Sequence, residues 1–249
     1  MSFEDKAVLV TGGTRGIGAA TAVAFRAAGA RVAVGGRSEA SYRRFTEVHG
    51  PEGFHPALGE LGRAAACQAV VAAAVEALGG LDVLVNSAGV YLEAPFAETD
   101  EALWRKTIEV NLAGPFFCSQ AALPALRARG GNIVNIASES GLIGYTDAAA
   151  YCASKGGVVN LTRTLALELA GQVRVNCVCP GNVDTEMIQK AAEATGDSAA
   201  YLAAARAHAP LGRMARPEEI AGAVLYLASE AAGFTTGALL AVDGGRTAG

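Results

Sequence analysis

The sequence predicts one α/β domain built on a doubly wound parallel sheet, and three observations carry that expectation. Short β-branched runs alternate with long alanine-rich segments from end to end, the pattern of strands joined by crossover helices. The runs are apolar almost without a break, as strands covered on both faces require. The 249 residues are 51% hydrophobic and only 18% charged, a balance that suits a large buried core and argues against disorder.

KAVLV opens the sheet, followed by a glycine-rich turn and a helix over 16–28. RVAV is the second strand, with a helix over 38–48 behind it. FHPAL is a weaker strand candidate, because Pro56 has no N–H to give a ladder. A helix over 63–78, the strand LDVLV and a long helix over 100–127 come next. NIVNIA, a helix over 151–170, VRVNCV, helical segments 186–207 and 217–228, and a closing strand ALLAV complete the order. The alanine enrichment between strands favours helix. No linker or change of composition divides the chain, so 1–249 read as a single domain.

Several function classes fall away on composition. Five cysteines (Cys67, Cys118, Cys152, Cys177, Cys179) without CxxC spacing or a secretory leader suggest reduced thiols and a cytoplasmic protein. His49, His55 and His208 are spaced unlike metal ligands, so no metal is expected. The longest uncharged stretch, Val110 to Leu126, holds two prolines and spans 17 residues, which argues against a membrane span. A net charge of −4 offers no footprint for nucleic acid.

Two features point to chemistry. In VLVTGGTRGIGAA, Gly12, Gly16 and Gly18 follow a strand and open a helix, where backbone without Cβ atoms lets a pyrophosphate approach the helix amides. The spacing is GxxxGxG rather than GxGxxG. In AAAYCASKGG, Tyr151 and Lys155 stand four apart, on one face of a helix.

Together with NSAG at 86–89, VNLAG at 110–114, Ser138, PGNVDT at 180–185 and VDGG at 242–245, these motifs resemble, in order and spacing, the short-chain dehydrogenase/reductase family over essentially the whole chain. The resemblance implies a seven-stranded Rossmann-like sheet in the order 3-2-1-4-5-6-7 and hydride transfer between a nicotinamide and a ketone or secondary alcohol. It also implies a segment at about 186–211 that closes over substrate, with Met187, Ile188, Tyr201 and Leu202 as wall residues. It assigns a catalytic tetrad of Asn111, Ser138, Tyr151 and Lys155. The cofactor falls to Gly12, Thr14, Arg15, Gly16, Ile17, Gly18, Arg37, Ser38, Glu60, Leu61, Asn86, Ala88, Gly89, Pro180, Gly181, Val183 and Thr185, with Tyr151 and Lys155. Ser87 replaces the family's usual asparagine, and Glu60 stands where an aspartate commonly touches adenine. Asp82 and Asn86 also read as buried polar ties between strands and loops.

The tetrad's chemistry follows from its parts. Reducing a ketone leaves an alkoxide that needs a proton; a phenol supplies it if its pKa is lowered from about 10, and a neighbouring ammonium works in that direction. Tyr151 is the expected acid and base, with Lys155 its electrostatic partner and, by resemblance, a ligand of the nicotinamide ribose. Ser138, at the carboxyl edge of the sheet, donates to the substrate oxygen. Asn111 matches the position that holds a water linked to Lys155.

The second strand ends in Gly36 and Arg37 where an NAD enzyme places an acidic residue. Arg37, Arg15 and Ser38 suit a 2′-phosphate, so NADP(H) is expected as the preferred cofactor, with NAD(H) possible. The leading expectation is an NADP(H)-dependent ketone/alcohol oxidoreductase acting on a small molecule. The alternatives are 3-oxoacyl-[acyl-carrier-protein] reductase, an NAD-dependent alcohol or polyol dehydrogenase, an isomerase using transient oxidation, and a cofactor-binding regulator. Arg127, Arg129 and Arg174 are too scattered to establish a carrier-protein patch. Glu139, Leu142, Ile143, Gly144 and Tyr145, with Val90, Leu92 and Glu93, are placed at the pocket rim, both glutamates facing water. That mostly apolar rim favours hydrophobic ketones over free sugars. Apolar faces on 100–127 and 151–170 broader than one sheet needs suggest a homotetramer.

Overall fold

The computed structural model describes residues 1–248. Among them, β1 (Ala7–Thr11), β2 (Arg31–Gly36), β3 (Phe54–Leu58), β4 (Val83–Asn86), β5 (Asn132–Ile136), β6 (Arg174–Pro180) and β7 (Leu239–Val242) form one sheet in the order β3-β2-β1-β4-β5-β6-β7. Every pairing is parallel, with Val8 opposite both Val32 and Val83. FHPAL is therefore a strand. It lies at the sheet's edge, the one setting where a missing N–H is tolerated.

Side chains alternate across each strand, and the helices divide accordingly. Val8 and Val10 of β1 face a core shared with α1 (Gly16–Ala27), α2 (Glu39–His49) and α9 (Pro217–Ala228), centred on Phe25, Phe45 and Ile220. Ala7 and Leu9 face the opposite core, beneath α3 (Ala64–Leu78), α5 (Gly114–Arg129) and α6 (Ala149–Glu168). The sheet is thus apolar on both faces, which is why its strands read as continuous runs.

Two predicted helices are broken. The segment 100–127 is α4 (Glu101–Ile108), a π-helical turn (Glu109–Ala113) and α5. The segment 186–207 divides into α7 (Glu186–Ala194) and α8 (Ser198–Ala207). Between them Gly196 takes φ +78°, a left-handed conformation that ends α7, and Asp197 caps α8 by accepting from Ala200 N at 3.0 Å.

Asp82 and Asn86 are ties between elements. Asp82 Oδ2 accepts from Ala7 N at 2.8 Å and Arg129 Nη1 at 2.9 Å. Asn86 Nδ2 donates to Ser119 Oγ and to Asn135 Oδ1, and Asn135 passes the chain on to Thr162 at 2.9 Å. Because strand order reverses between β1 and β4, the connections leave the sheet in opposite directions there. A crevice opens at the carboxyl edge.

Candidate active site

The crevice is a cleft of about 350 Å³ running from Gly36 and Arg37 at one end to Ser138 and Tyr151 at the other. Its floor depends on close backbone approach. Gly12 has φ +64°, and a Cβ there would lie 2.7 Å from Ala88 Cα, so only glycine brings the first turn against the NSAG loop. A Cβ on Gly18 would lie 2.2 Å from Gly12 O. Thr11 Oγ1 fastens the two loops by accepting from Ser87 N at 3.1 Å and Ala88 N at 3.3 Å.

The N-terminus of α1 opens into this cleft, and Arg15 at its cap position supplies no side-chain hydrogen bond to close it among the described residues. Free amides and a glycine cradle fit the pyrophosphate of a dinucleotide. Thr14, Arg15, Gly16, Ile17, Arg37, Glu60, Leu61, Ala88, Gly89, Pro180, Gly181, Val183 and Thr185 line the same cleft. Ser38 is exposed as the cap of α2, accepting from Ser41 N at 3.3 Å, and Ser41 rather than Ser38 lines the cleft. Asn86 is drawn into the interior network already described. Glu60 reaches the wall paired with Lys106 at 2.7 Å, and that ammonium holds its carboxyl below the ordinary range.

At the other end, Ser138 follows β5 directly and α6 carries Tyr151 and Lys155 beside it. Ser138 Oγ accepts from Ser140 N at 3.1 Å, which leaves its own proton free. Lys155 Nζ donates to Ile136 O at 2.9 Å and lies 5.7 Å from the centre of the Tyr151 ring. Burial pushes the Tyr151 phenol up to about 12, against a smaller opposing effect of the Ser138 hydroxyl. The lowering expected from Lys155 is not among these influences: the phenol is desolvated and the ammonium is held on a carbonyl. Burial also brings Lys155 down to about 8.

Burial of the Lys155 ammonium makes stability depend on pH. Below about pH 8 the ammonium is charged in folded and unfolded chains alike, and the cost of burying it is felt in full. Between about 8 and the ordinary value of 10.5 the unfolded chain binds the extra proton, so the group's contribution to stability rises with pH. Thermal denaturation should show Lys155→Met more stable than the parent near neutrality, with the gap narrowing towards about pH 10. A gap independent of pH would rule out titration of Lys155 in this window.

Asn111 sits in the π-helical turn, 1% exposed, and its side-chain amide bonds to the protein at both ends. Nδ2 donates to Val90 O at 2.9 Å and Ser154 Oγ at 3.2 Å, while Oδ1 accepts from Val90 N at 2.8 Å. It clamps the loop after β4 to α6 instead of forming cleft wall. The π turn, a feature found often at functional sites, is what turns this asparagine inward.

The wall residues that sequence reasoning missed include Ser41, Arg44, Tyr91 and Lys106. Ser41 and Arg44 are three apart on α2, a spacing that places them on one face. The Tyr91 ring packs edge-on against Tyr151, centroids 4.8 Å apart at 85°. The predicted apolar rim needs correction as well. Glu139 is 3% exposed and does not face water, and Glu139, Ser140 and Tyr145 form wall whereas Leu142 is turned out to solvent. The local helical turn after Ser138 folds Glu139 inward.

A family described as Enoyl-(Acyl carrier protein) reductase matches residues 12–247. The chain is 40% identical to trans-4-hydroxycyclohexanecarboxylate dehydrogenase of Sinomonas cyclohexanicum, over 98% of this chain and 94% of the relative. It is 41% identical to D-threitol dehydrogenase of Mycolicibacterium smegmatis, with 98% and 94% covered. Among solved structures, the ligand-free aldohexose dehydrogenase of Thermoplasma acidophilum superposes with a TM-score of 0.91 at 32% identity, over 99% of this chain and 96% of that one.

Proposed function

The chain belongs to the short-chain dehydrogenase/reductase family, and from that premise we propose that it is an NADP(H)-dependent oxidoreductase that interconverts a ketone and a secondary alcohol. The observation that carries this reading is the meeting of Ser138, Tyr151 and Lys155 at the end of a glycine-floored cleft. The relatives' names, both dehydrogenases, support the oxidoreductase class.

The glycine cradle and the open end of α1 would hold the cofactor's pyrophosphate, with Arg37, Arg15 and Arg44 at its ribose phosphate and Pro180, Gly181, Val183 and Thr185 along the nicotinamide half. The bound nicotinamide supplies or accepts the hydride. Tyr151 gives its proton to the substrate oxygen in reduction and removes it in oxidation, and Ser138 donates its free O–H to the same oxygen. A phenol held near 12 is fully protonated at neutral pH, ready for reduction. Lys155 keeps positive charge beside the oxygen when the phenol is spent. Asn111 acts as a positioning residue, fixing Val90 and Ser154 around that lysine. The test is a panel of ketones and alcohols with both cofactors, read at the nicotinamide absorbance. Failure of every pair would overturn the reading.

A homotetramer is proposed with it. Trp104 on α4, Phe116 on α5 and Leu167 on α6 are exposed, apolar side chains that a partner would cover. Light scattering at micromolar concentration is expected to give four times the 25.1 kDa chain mass, and a monomer mass would refute the interface. Among the described residues all five cysteines are free thiols, which supports a reducing, cytoplasmic setting. No helix among them is long and apolar enough to cross a membrane.

A further inference from the structure

Tyr91 stands beside Tyr151 and the chemistry above does not use it. Its ring packs edge-on against the Tyr151 ring, lines the same cleft, and follows Val90 in the loop after β4. That loop is anchored. Asn111 grips Val90 by both its N–H and its carbonyl. Asn111 also donates to Ser154 Oγ, whose own proton goes to Tyr151 O at 2.7 Å. The circuit closes on itself, from the Tyr151 backbone through Ser154, Asn111 and Val90 to the Tyr91 ring, and from that ring back to the Tyr151 ring.

A phenol that must transfer a proton has a use for such a neighbour. The Tyr151 oxygen stands at the far end of its ring, so a small rotation about χ1 swings it away from the substrate, and a misplacement of about 1 Å can cost about a hundredfold in rate. An edge-on aromatic partner opposes that rotation, because this is the arrangement that ring pairs prefer. Lys155 does not do it, since its ammonium is held on Ile136 O. The Tyr91 hydroxyl has partners of its own. It donates to Glu93 Oε1 within the loop, and the phenol of Tyr201 on α8, another cleft residue, comes to the same hydroxyl. With its proton on the carboxylate, Tyr91 offers Tyr201 only lone pairs, so Tyr201 donates.

We propose that Tyr91 is a positioning residue: its ring holds the Tyr151 phenol in line with the substrate oxygen, and its hydroxyl, bonded to Tyr201, fixes α8 across the cleft so that substrate is held against that phenol. The inference rests on the oxidoreductase reading above and gives it a further residue. The two parts of the side chain act on different quantities. The ring governs proton transfer and therefore kcat, whereas the hydroxyl steadies a wall and therefore governs KM.

The test measures kcat and KM across pH, on the fastest ketone and alcohol of the panel above, in the parent, Tyr91→Leu, Tyr91→Phe and Tyr201→Phe. Tyr91→Leu should lower kcat about tenfold to a hundredfold. Tyr91→Phe restores the ring and should recover most of that loss, while raising KM about twofold to tenfold, the worth of one hydrogen bond. Tyr201→Phe should raise KM to the same extent and the double variant no further, because both substitutions remove one bond. The pH profile adds a readout that a merely structural role would not move. Burial holds the Tyr151 phenol up, and leucine opens its ring to water, so alcohol oxidation should level off at a lower pH in Tyr91→Leu than in the parent. Lys155, Glu139 and Cys152, the other titratable groups around that phenol, are unchanged in this variant. NMR of ring-labelled tyrosine, with Tyr151→Phe assigning the signal, reads the same ionisation without substrate: Tyr151 should ionise in the alkaline range in Tyr91→Leu while the parent's phenol stays protonated. That shift without turnover of any pair supports the contact and sinks the oxidoreductase reading. Where Tyr91→Leu does not fold, the cycle of Tyr91→Phe and Tyr201→Phe decides. Unchanged ionisation or unchanged kcat in Tyr91→Leu, or additive effects in the cycle, would overturn the assignment.

Discussion

Tyr151→Phe is expected to fold, to bind cofactor as the parent does, and to lose turnover by about 10²- to 10⁴-fold or more, the usual worth of a positioned general acid. Only one oxygen is removed. The ring keeps its edge-on packing against Tyr91, Ser138 keeps its bond from Ser140 N, and Lys155 stays on Ile136 O. The stability change should therefore be small, about 1 kcal/mol, the typical net worth of a hydrogen bond. Because the hydroxyl acts on an oxygen whose charge changes only during reaction, kcat and kcat/KM should fall together. The pH profile supplies a second check. Oxidation needs the phenolate, and burial holds the phenol up at about 12, so the parent's alcohol oxidation should speed up as pH rises through the neutral and alkaline range while ketone reduction does not. The Phe variant should lose that rise. A variant retaining activity within about tenfold of the parent would transfer the proton chemistry to another group.

How much of this was legible from the residues varies with the kind of interaction. The strands, the crossovers and a parallel sheet buried on two faces follow from apolar runs and alanine-rich segments, whereas the strand order was implied by the family resemblance alone. The glycine cradle was legible too, since only Gly12 and Gly18 allow the backbone contacts found there. Breaks inside helices were not. Nothing in the composition of 100–127 separates α4 from the π turn, which carries Asn111 to its bonds with Val90 and Ser154. Directions of side chains were harder again. Ser38 and Asn86 stand at the right positions, yet the oxygen of one is taken up as a helix cap and the amide of the other by a buried network. Glu139 reads as a surface glutamate by type and is buried by its partners, Tyr145 and through it His208, the latter 69 residues away in a segment whose fold could only be guessed at. The expected lowering of Tyr151 by Lys155 is not found among the influences on the phenol, which burial dominates. Desolvation of both groups is a property of the packed interior and leaves no mark in a spacing of four.

Arg37→Ala is expected to weaken NADPH binding by about tenfold to a hundredfold, the worth of one or two charge-assisted hydrogen bonds, and NADH binding by much less. At the end of β2, Gly36 and Arg37 line the cleft with Ser41 and Arg44, and no carboxylate occupies the position at which an NAD enzyme grips both ribose hydroxyls. Arg15, the other arginine read from the sequence, is 3.9 Å from Glu186, so part of its charge is directed to the first residue of α7. Arg37 and Arg44 therefore carry most of the preference, and Arg44→Ala should reproduce the effect at smaller size. The loss should shrink as salt rises, because exposed charges are screened. The reciprocal change is Gly36→Asp. A Cβ there would lie 2.8 Å from Thr14 Cγ2, 3.1 Å from Ser41 Oγ and 3.3 Å from Leu58 Cδ2, so these side chains must shift to admit it. The new carboxylate would repel a 2′-phosphate and accept from ribose hydroxyls, moving the preference towards NADH. Titrating the two reduced cofactors by nicotinamide fluorescence reads all of this without any substrate. Tighter NADH than NADPH binding in the parent, or an equal loss of both in Arg37→Ala, would assign the corner to ribose hydroxyls rather than to a phosphate.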